Sequence, residues 1–273
     1  MKKDLIVIPA RYNSKRLPGK PLILINEIPL IDRVVSIAMQ VKSQVENIDV
    51  LVATDSQNIA EHCRNINVNV VMTESNVASG TERVYLACKK LRYSPNFIIN
   101  LQGDAPFVKP NQIISLINKA RKYDSNVTTT AYQLSWRNLD NLRERKKSSP
   151  FSGTTCAIDE SDNAIWFTKQ IIPSIRNEEI VRLKNQKSPV FQHLGLYCFK
   201  LHTLEKFFQF KVGKYEELEE LEQLRFIENG IKILVDIVEE TNWSMSGIDS
   251  PNDVVVATEI LKNYKDPFVK WGN

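Results

Sequence analysis

The chain has 273 residues, 42% of them hydrophobic, and a formal net charge of +4. That is enough apolar material for one large α/β domain, with or without a smaller insertion, and it argues against wholesale disorder. The small positive balance suits anionic small molecules and does not demand nucleic acid, which goes with a stronger and more clustered basic excess. No apolar stretch is long enough to span a bilayer. The opening MKKDLIVIPARY has too short an apolar part for a signal peptide and runs straight into Arg11, so it reads as a first strand. Cys63, Cys88, Cys156 and Cys198 are far apart and form no C-x-x-C pair, which excludes a zinc or disulfide framework and fits a soluble cytoplasmic protein.

In chain order, the apolar runs LIVIPA (5–10), VLVATD (50–55), VNVVMT (68–73) and FIINLQ (97–102) read as strands. Between them IDRVVSIAMQVKSQ, SQNIAEHCRNI and GTERVYLACKKL carry apolar residues three or four apart, as helices do. Strand–helix alternation with near-continuous apolar strands predicts a mainly parallel sheet covered on both faces. After about residue 130 the alternation breaks. The polar, basic segment 134–150 reads as a solvated loop. FSGTTCAID, AIWFTK and HLGLYCFK read as strands, with a loop around RNEEIVRLKNQKSP (176–189). LHTLEKFFQF and YEELEELEQLRFIEN read as helices, the second stopped by Asn229-Gly230. IKILVDIV (231–238) is a further strand, and a last helix begins near Pro251. The expected architecture is α/β, with residues 134–215 as a smaller inserted α+β subdomain.

Several stretches carry chemistry. PARYNSKRLPGKP (9–21) puts Arg11, Lys15, Arg16 and Lys20 around Pro18 and Gly19, at the carboxyl end of the first strand, where open parallel sheets bind ligands. It holds neither a G-x-x-x-x-G-K-[ST] nor a G-x-G-x-x-G pattern, and an ordinary basic surface loop explains it equally well. Ser79-Gly80-Thr81-Glu82-Arg83 opens a helix, either as a plain cap or as an anion-binding end. Asp104, in NLQGDAP (100–106), ends a core strand and suits a hard cation or a turn cap. Asp249, in SGIDSPND (246–253), is open to the same two readings, with Ser250 or Asp249 as the cap before Pro251. HLGLY (193–197) is a strand and LEQLR (221–225) an amphipathic helix; alone, neither demands a site.

Taken together, these stretches resemble one family. PARYNSKRLPGKPL is similar to the P-A-R-x-x-S-x-R-[LF]-P-G-K-P-L opening of the cytidylyltransferases that load CTP onto 3-deoxy-manno-octulosonate (Kdo). The other four motifs follow in that family's order, and the resemblance spans about residues 5–262. It implies a Rossmann-like nucleotidyltransferase. By this resemblance Arg11, Arg16 and Lys20 grip the triphosphate and the Ala10–Arg11 backbone lies near the base. Ser79, Gly80 and Arg83 take the cytidine half, and Gln102 touches nucleotide and sugar. Asp104 and Asp249 hold Mg²⁺, and Arg16 and Lys20 stabilise the departing pyrophosphate. His193, Tyr197, Glu222 and Gln223 line the sugar pocket, with Lys169 where relatives carry Arg. A homodimer through residues 150–215 is also implied.

The match departs at Ala105, where relatives have Glu, at Lys169, and at Ser149–Cys156, which replaces N-P-x-x-V-K-V-V. These departures are expected to cluster around the acceptor. The expected reaction couples CTP to the anomeric hydroxyl of Kdo or a close 3-deoxy-ulosonic acid, for lipopolysaccharide or capsule. The alternatives are an amino-Kdo or sialic-acid-like acceptor, UTP or GTP as donor, and a non-catalytic nucleotide-binding protein. An RNA module at the basic 143–147 stretch ranks last, and no membrane partner is expected.

Overall fold

The computed structural model describes residues 3–14, 16–240, 247–263 and 266–271. The first half alternates strand and helix. β1 (Asp4–Ala10) leads through a 3₁₀ turn at Lys20–Leu22 to the small hairpin β2 (Leu24–Ile25) and β3 (Ile28–Pro29). Then come α1 (Leu30–Lys42), β4 (Ile48–Thr54), α2 (Gln57–Asn65), β5 (Val70–Met72), α3 (Gly80–Lys89) and β6 (Ile98–Asn100). α4 (Pro110–Tyr123) and β7 (Val127–Ser135) carry the alternation further than the sequence pattern indicates. The second half comprises α5 (Trp136–Ser148), β8 (Thr155–Ile158), β9 (Ala164–Thr168), α6 (Glu178–Lys184) and β10 (Lys187–Phe199). It closes with α7 (Leu201–Gln209), α8 (Lys214–Glu219), α9 (Gln223–Glu228), β11 (Leu234–Ile237) and α10 (Pro251–Asn263).

The main sheet runs β11-β7-β10-β6-β1-β4-β5. Only β10 along that path is antiparallel to its neighbours. All seven residues of β1 are buried, and they alternate between two cores. Ile6, Ile8 and Ala10 join α1 and α4 on one face; Leu5 and Val7 join α3, α7 and α9 on the other. This two-sided burial is why the strand reads as a continuous apolar run.

β10 is the longest strand, and it spans two environments. β7 pairs with it from end to end; on its other edge the last residues pair with β6, while Phe191 and Gln192 pair with β8 of the β8–β9 hairpin. The register against β7 shifts between His193 and Tyr197, around Gly195 at φ +76°. A side chain is strained at that φ, so glycine permits the bulge that re-aims the neighbouring side chains.

Three sequence expectations are corrected. Segment 134–150 is not a solvated loop. Ser135 caps α5 by accepting from the Asn138 N–H, and Leu139 and Leu142 are buried at i,i+3 spacing beneath the charged face. Residues 176–189 are not a loop either, because Glu178 and Arg182 pair one turn apart in α6 and reach Arg143 and Asp140 of α5. YEELEELEQLRFIEN is two short helices, broken where Glu220 adopts φ +51°.

The two readings of 134–150 differ in what truncation would do. Leu139→Ala should destabilise the protein by about 2–5 kcal/mol, the cost of emptying a packed core position, against a negligible change for a loop residue. Denaturant unfolding of the variant decides between them.

Candidate active site

The chain leaves β1 to build β4 and β5 on one side, then returns to place β6 on the other side of β1. That reversal opens a crevice beyond the carboxyl ends of β1 and β6, the usual ligand position in an open α/β sheet. The cleft found there is lined by Pro9 and Ala10 of β1 and Arg11 just after it, Ser79, Gly80 and Arg83 from the start of α3, and Gln102 and Asp104 after β6. Lys20 and Asp249 complete it.

Lys20 joins three segments that are distant in sequence. Its ammonium donates to Asp104 Oδ2 at 2.6 Å, to the Ile248 carbonyl at 2.9 Å and to Asp249 Oδ1 at 3.2 Å. Arg16, far more exposed, reaches Asp249 Oδ2 at 3.3 Å. Asp104 and Asp249 therefore converge on one point that already accepts positive charge. The Ile248 N–H donates to the Asp104 carbonyl at 2.9 Å, which fixes this approach. Asp249 is not a helix cap. Ser250 accepts from the Asp253 N–H, and Asp253 accepts from the N–H groups of Asp249 and Ser250, so the Asp249 carboxylate stays free to face Lys20. Lys15 and Ser246 lie outside the described residues.

The opposite wall is equally well fixed. Ser79 caps α3 by accepting from the Glu82 N–H, and Glu82 accepts in return from the Ala78 N–H. Thr81, Asn100 and Gln102 form a side-chain relay: Asn100 donates to Thr81 at 3.3 Å and Gln102 donates to Asn100 at 3.1 Å. Gly103 is required by close approach, since a Cβ there would lie 2.4 Å from the Pro9 carbonyl oxygen.

Arg83 lines the cleft, yet its guanidinium is engaged by Asp55 at 3.1 Å and by Thr73. Nothing in the sequence singles out Asp55. Its second oxygen accepts from the Tyr12 N–H at 3.2 Å, so one nearly buried carboxylate ties the loop after β1 to α3. The only local signal is a carboxylate at the end of a core strand, followed by a serine that takes the capping role of α2.

The predicted acceptor residues form a second group, on the α7/α9 face. His193 packs edge-on against Phe167 and Tyr197. Thr129 donates to the Leu196 carbonyl, so the 2.9 Å contact from His193 Nε2 is a donation to Thr129 Oγ1. Burial, aided by the Lys169 ammonium, lowers the His193 pKa to about 3, and the ring is neutral. Burial likewise holds the Tyr197 phenol well above its ordinary range, with the Glu222 carboxylate adding to the effect. Thr129 approaches Tyr197 but is committed elsewhere. Tyr197 Oη and Gln223 Nε2 are buried without a hydrogen-bond partner. Ala105 belongs to the core on the α1/α4 face and walls a hollow shared with Gln102, Asp104, Leu194, Gly195 and Leu196.

Among the described residues no three His, Cys, Asp or Glu side chains converge as a metal cage, so Asp104 and Asp249 stand as a pair. No helix among those residues is long and apolar enough to cross a membrane.

A cation-lined, glycine-walled crevice at the switch point of a mainly parallel sheet, with two carboxylates at its mouth, defines a nucleotidyltransferase-type α/β protein. The cytidylyltransferase family model matches residues 5–233. A Maricaulis maris protein named 3-deoxy-manno-octulosonate cytidylyltransferase is 36% identical over 259 residues, covering 94% of this chain and 96% of its own. A Parabacteroides distasonis protein of the same name is 35% identical, covering 96% and 100%. The chain belongs to this cytidylyltransferase family. The solved structure of a CMP:2-keto-3-deoxy-manno-octonic acid synthetase complexed with CTP superposes with a TM-score of 0.80 at 30% identity, covering 96% of this chain and 99% of that one. The 4-diphosphocytidyl-2C-methyl-D-erythritol synthase of Anaerococcus prevotii shares the fold, with a TM-score of 0.60 at 15% identity.

Two measurements follow from this geometry. Asp55→Asn keeps an acceptor for Tyr12 but removes the charge facing Arg83, and should weaken CTP binding by about tenfold, read by calorimetric titration. His193 refuses a proton that the unfolded chain accepts, so stability should be lost as pH falls from about 6.5 towards 3. A His193→Gln variant, compared by chemical unfolding across that range, should lack this part of the acid loss.

Proposed function

We propose that the protein couples CTP to the anomeric hydroxyl of 3-deoxy-manno-octulosonate, or a close 3-deoxy-ulosonic acid, releasing pyrophosphate. The observation that carries this reading is the convergence of Lys20, Asp104 and Asp249 at the crevice mouth, facing the N-terminal end of α3. The anomeric oxygen forms the new bond to the α-phosphorus, and the bond from that phosphorus to the bridging oxygen of pyrophosphate breaks. The hydroxyl proton leaves to solvent or phosphate.

In this reading Arg11, Arg16 and Lys20 neutralise the triphosphate and the charge that builds on departing pyrophosphate, which is the main task of a phosphoryl-transfer site. The Ala10–Arg11 backbone, Ser79, Gly80 and Gln102 hold the cytidine half, and Arg83 is held in place by Asp55. Asp104 and Asp249 would hold a divalent cation, Mg²⁺ by our reading. Two carboxylates that already embrace an ammonium fit it, and substrate phosphates complete the oxygen ligands that such an ion takes. When bound, it supplies neutralisation of phosphate oxygens and lowers the pKa of the attacking hydroxyl. With that charge supplied, the Lys20 ammonium would be available to the phosphates.

The acceptor falls to Lys169, His193, Tyr197, Glu222 and Gln223. Supporting this, Tyr197 Oη and Gln223 Nε2 lack protein partners, and an acceptor rich in hydroxyls would satisfy them. The 134–215 region supplies Lys169, His193 and Tyr197, and we read it as the sugar-binding and dimerising subdomain. Ile180, Leu183 and Phe151 expose apolar surface there. The four unpaired thiols fit a reducing cytoplasm and a role in lipopolysaccharide or capsule precursor synthesis. A non-catalytic nucleotide-binding role is disfavoured, because Lys20, Asp104 and Asp249 are all present and in contact. Lys169 in place of Arg keeps an amino-substituted Kdo or a sialic-acid-like acceptor as a second reading, since ammonium lacks the planar fork that Arg offers a carboxylate.

Pyrophosphate release with CTP, Mg²⁺ and a panel of Kdo, 8-amino-Kdo and a neuraminate tests both readings. Release is expected with one ulosonate and should vanish in Asp104→Ala. Silence with every sugar, from protein that still binds CTP, would sink the catalytic reading for this panel.

A further inference from the structure

The last turn of α5 is basic, and one of its cations is partly withdrawn from solvent. The Lys146 ammonium meets main-chain carbonyls: Ser152 at 2.6 Å, Gly153 at 3.1 Å, Pro150 at 3.2 Å, and the carbonyl of Lys169. No carboxylate accompanies it in these contacts. Burial, with the Lys169 ammonium second, lowers its pKa. An ammonium has three donors and cannot take four oxygens singly, so the carbonyls share it as they would a bound cation.

What this cation secures is the backbone of Lys169. The carbonyl of Lys169 is taken by Lys146, and its N–H donates to Glu219 at 2.7 Å. Glu219 also accepts from Thr168 Oγ1 at 2.6 Å, so the strand end is held from both sides. Beyond that fixed backbone the Lys169 side chain comes close enough to His193 to act on its titration. The other three carbonyls belong to the turn after α5, which precedes β8. One ammonium therefore locks two segments together around the acceptor pocket and away from the nucleotide cleft.

We propose that Lys146 is a positioning residue for the acceptor: it never touches the sugar acid but fixes Lys169 where it receives the acceptor's carboxylate. This rests on the acceptor assignment of Lys169 given above. A partly buried cation hydrogen-bonded only to main-chain oxygens, with the Glu219 carboxylate acting on it from a distance and offsetting its desolvation only in part, is placed there for what it holds together.

The test separates acceptor from nucleotide. In Lys146→Met the KM for the sugar acid should rise about tenfold, while the calorimetric Kd for CTP stays within about twofold. In Lys146→Ala, added methylammonium should recover part of the lost kcat/KM, because the carbonyl cage still accepts a small cation. Lys147→Met, an exposed neighbour paired with Glu144, is the control and should behave as the parent. An unchanged sugar KM in Lys146→Met overturns the proposal. So does an equal loss of sugar and CTP binding accompanied by a lowered Tm, which would mark Lys146 as merely structural. Lys169→Met is measured beside them. If it leaves the sugar KM unchanged, the acceptor assignment itself fails; if it raises that KM while Lys146→Met does not, only the positioning role falls.

Discussion

The site depends on one electrostatic constraint: two carboxylates brought together at the mouth of a crevice need a cation. In the free chain Lys20 supplies it. Its side chain is 12% exposed, against 32% for Asp104 and 50% for Asp249, so the cation is the buried member and the carboxylates face outward. Pairs this open to water contribute only about 0–1 kcal/mol to stability. Their importance is arrangement. Lys20 follows β1, Asp104 follows β6, and Asp249 precedes α10. The ammonium holds those three segments in register and leaves the carboxylates facing outward.

The fold makes this convergence cheap. β1 and β6 are neighbours because the chain reverses direction of growth between β5 and β6. Their carboxyl ends open side by side, and the apolar alternation of Ile6 and Ile8 against Leu5 and Val7 locks β1 between two cores. A strand buried on both faces cannot slip by one residue without exchanging its whole side-chain set. The loop it launches is therefore aimed by the core. Asp55 adds the cross-tie, accepting from the loop after β1 and from Arg83 of α3. The carboxylates at the mouth bind charge, while this one fixes the distance between walls.

Much of this was legible in the sequence because it is written in short contiguous stretches. The loop after β1, the start of α3 and the NLQGDAP turn each declare strand ends and special backbone locally. What was not legible depends on partners far away. Asp55 matters through residues 43 and 28 positions distant, and a lone acid after a strand has no signature of that. Helix α5 was hidden by its charge: only Leu139 and Leu142 are buried, so the apolar stripe is two residues wide in thirteen. Its charged face looked solvated, yet Arg143 pairs with α6 and Lys146 is wrapped in carbonyls. Composition cannot tell a cation in water from a cation in a cage.

The same physics bears on the buried group proposed above to take the acceptor. A buried polar atom without a partner costs about 1–3 kcal/mol, and this pocket keeps two, Tyr197 Oη and Gln223 Nε2. His193 adds no charge, because burial keeps it neutral and its Nε2–H is already given to Thr129. Lys169 is the cation beside it. With Glu222 acting on Tyr197 and Lys169 on His193, a ligand suited to this set is hydroxylated and turns an anionic group toward Lys169 and hydroxyls toward Glu222. Apolar molecules would leave the orphaned groups unsatisfied, and a cationic group beside Lys169 would be repelled. A sugar acid meets both requirements. An ammonium at that position, in place of a forked guanidinium, would leave a carboxylate facing it freer in orientation without changing the sign of the charge it meets. Under the proposed assignment, this group therefore constrains the charge that faces Lys169 more firmly than the orientation of the ligand that carries it.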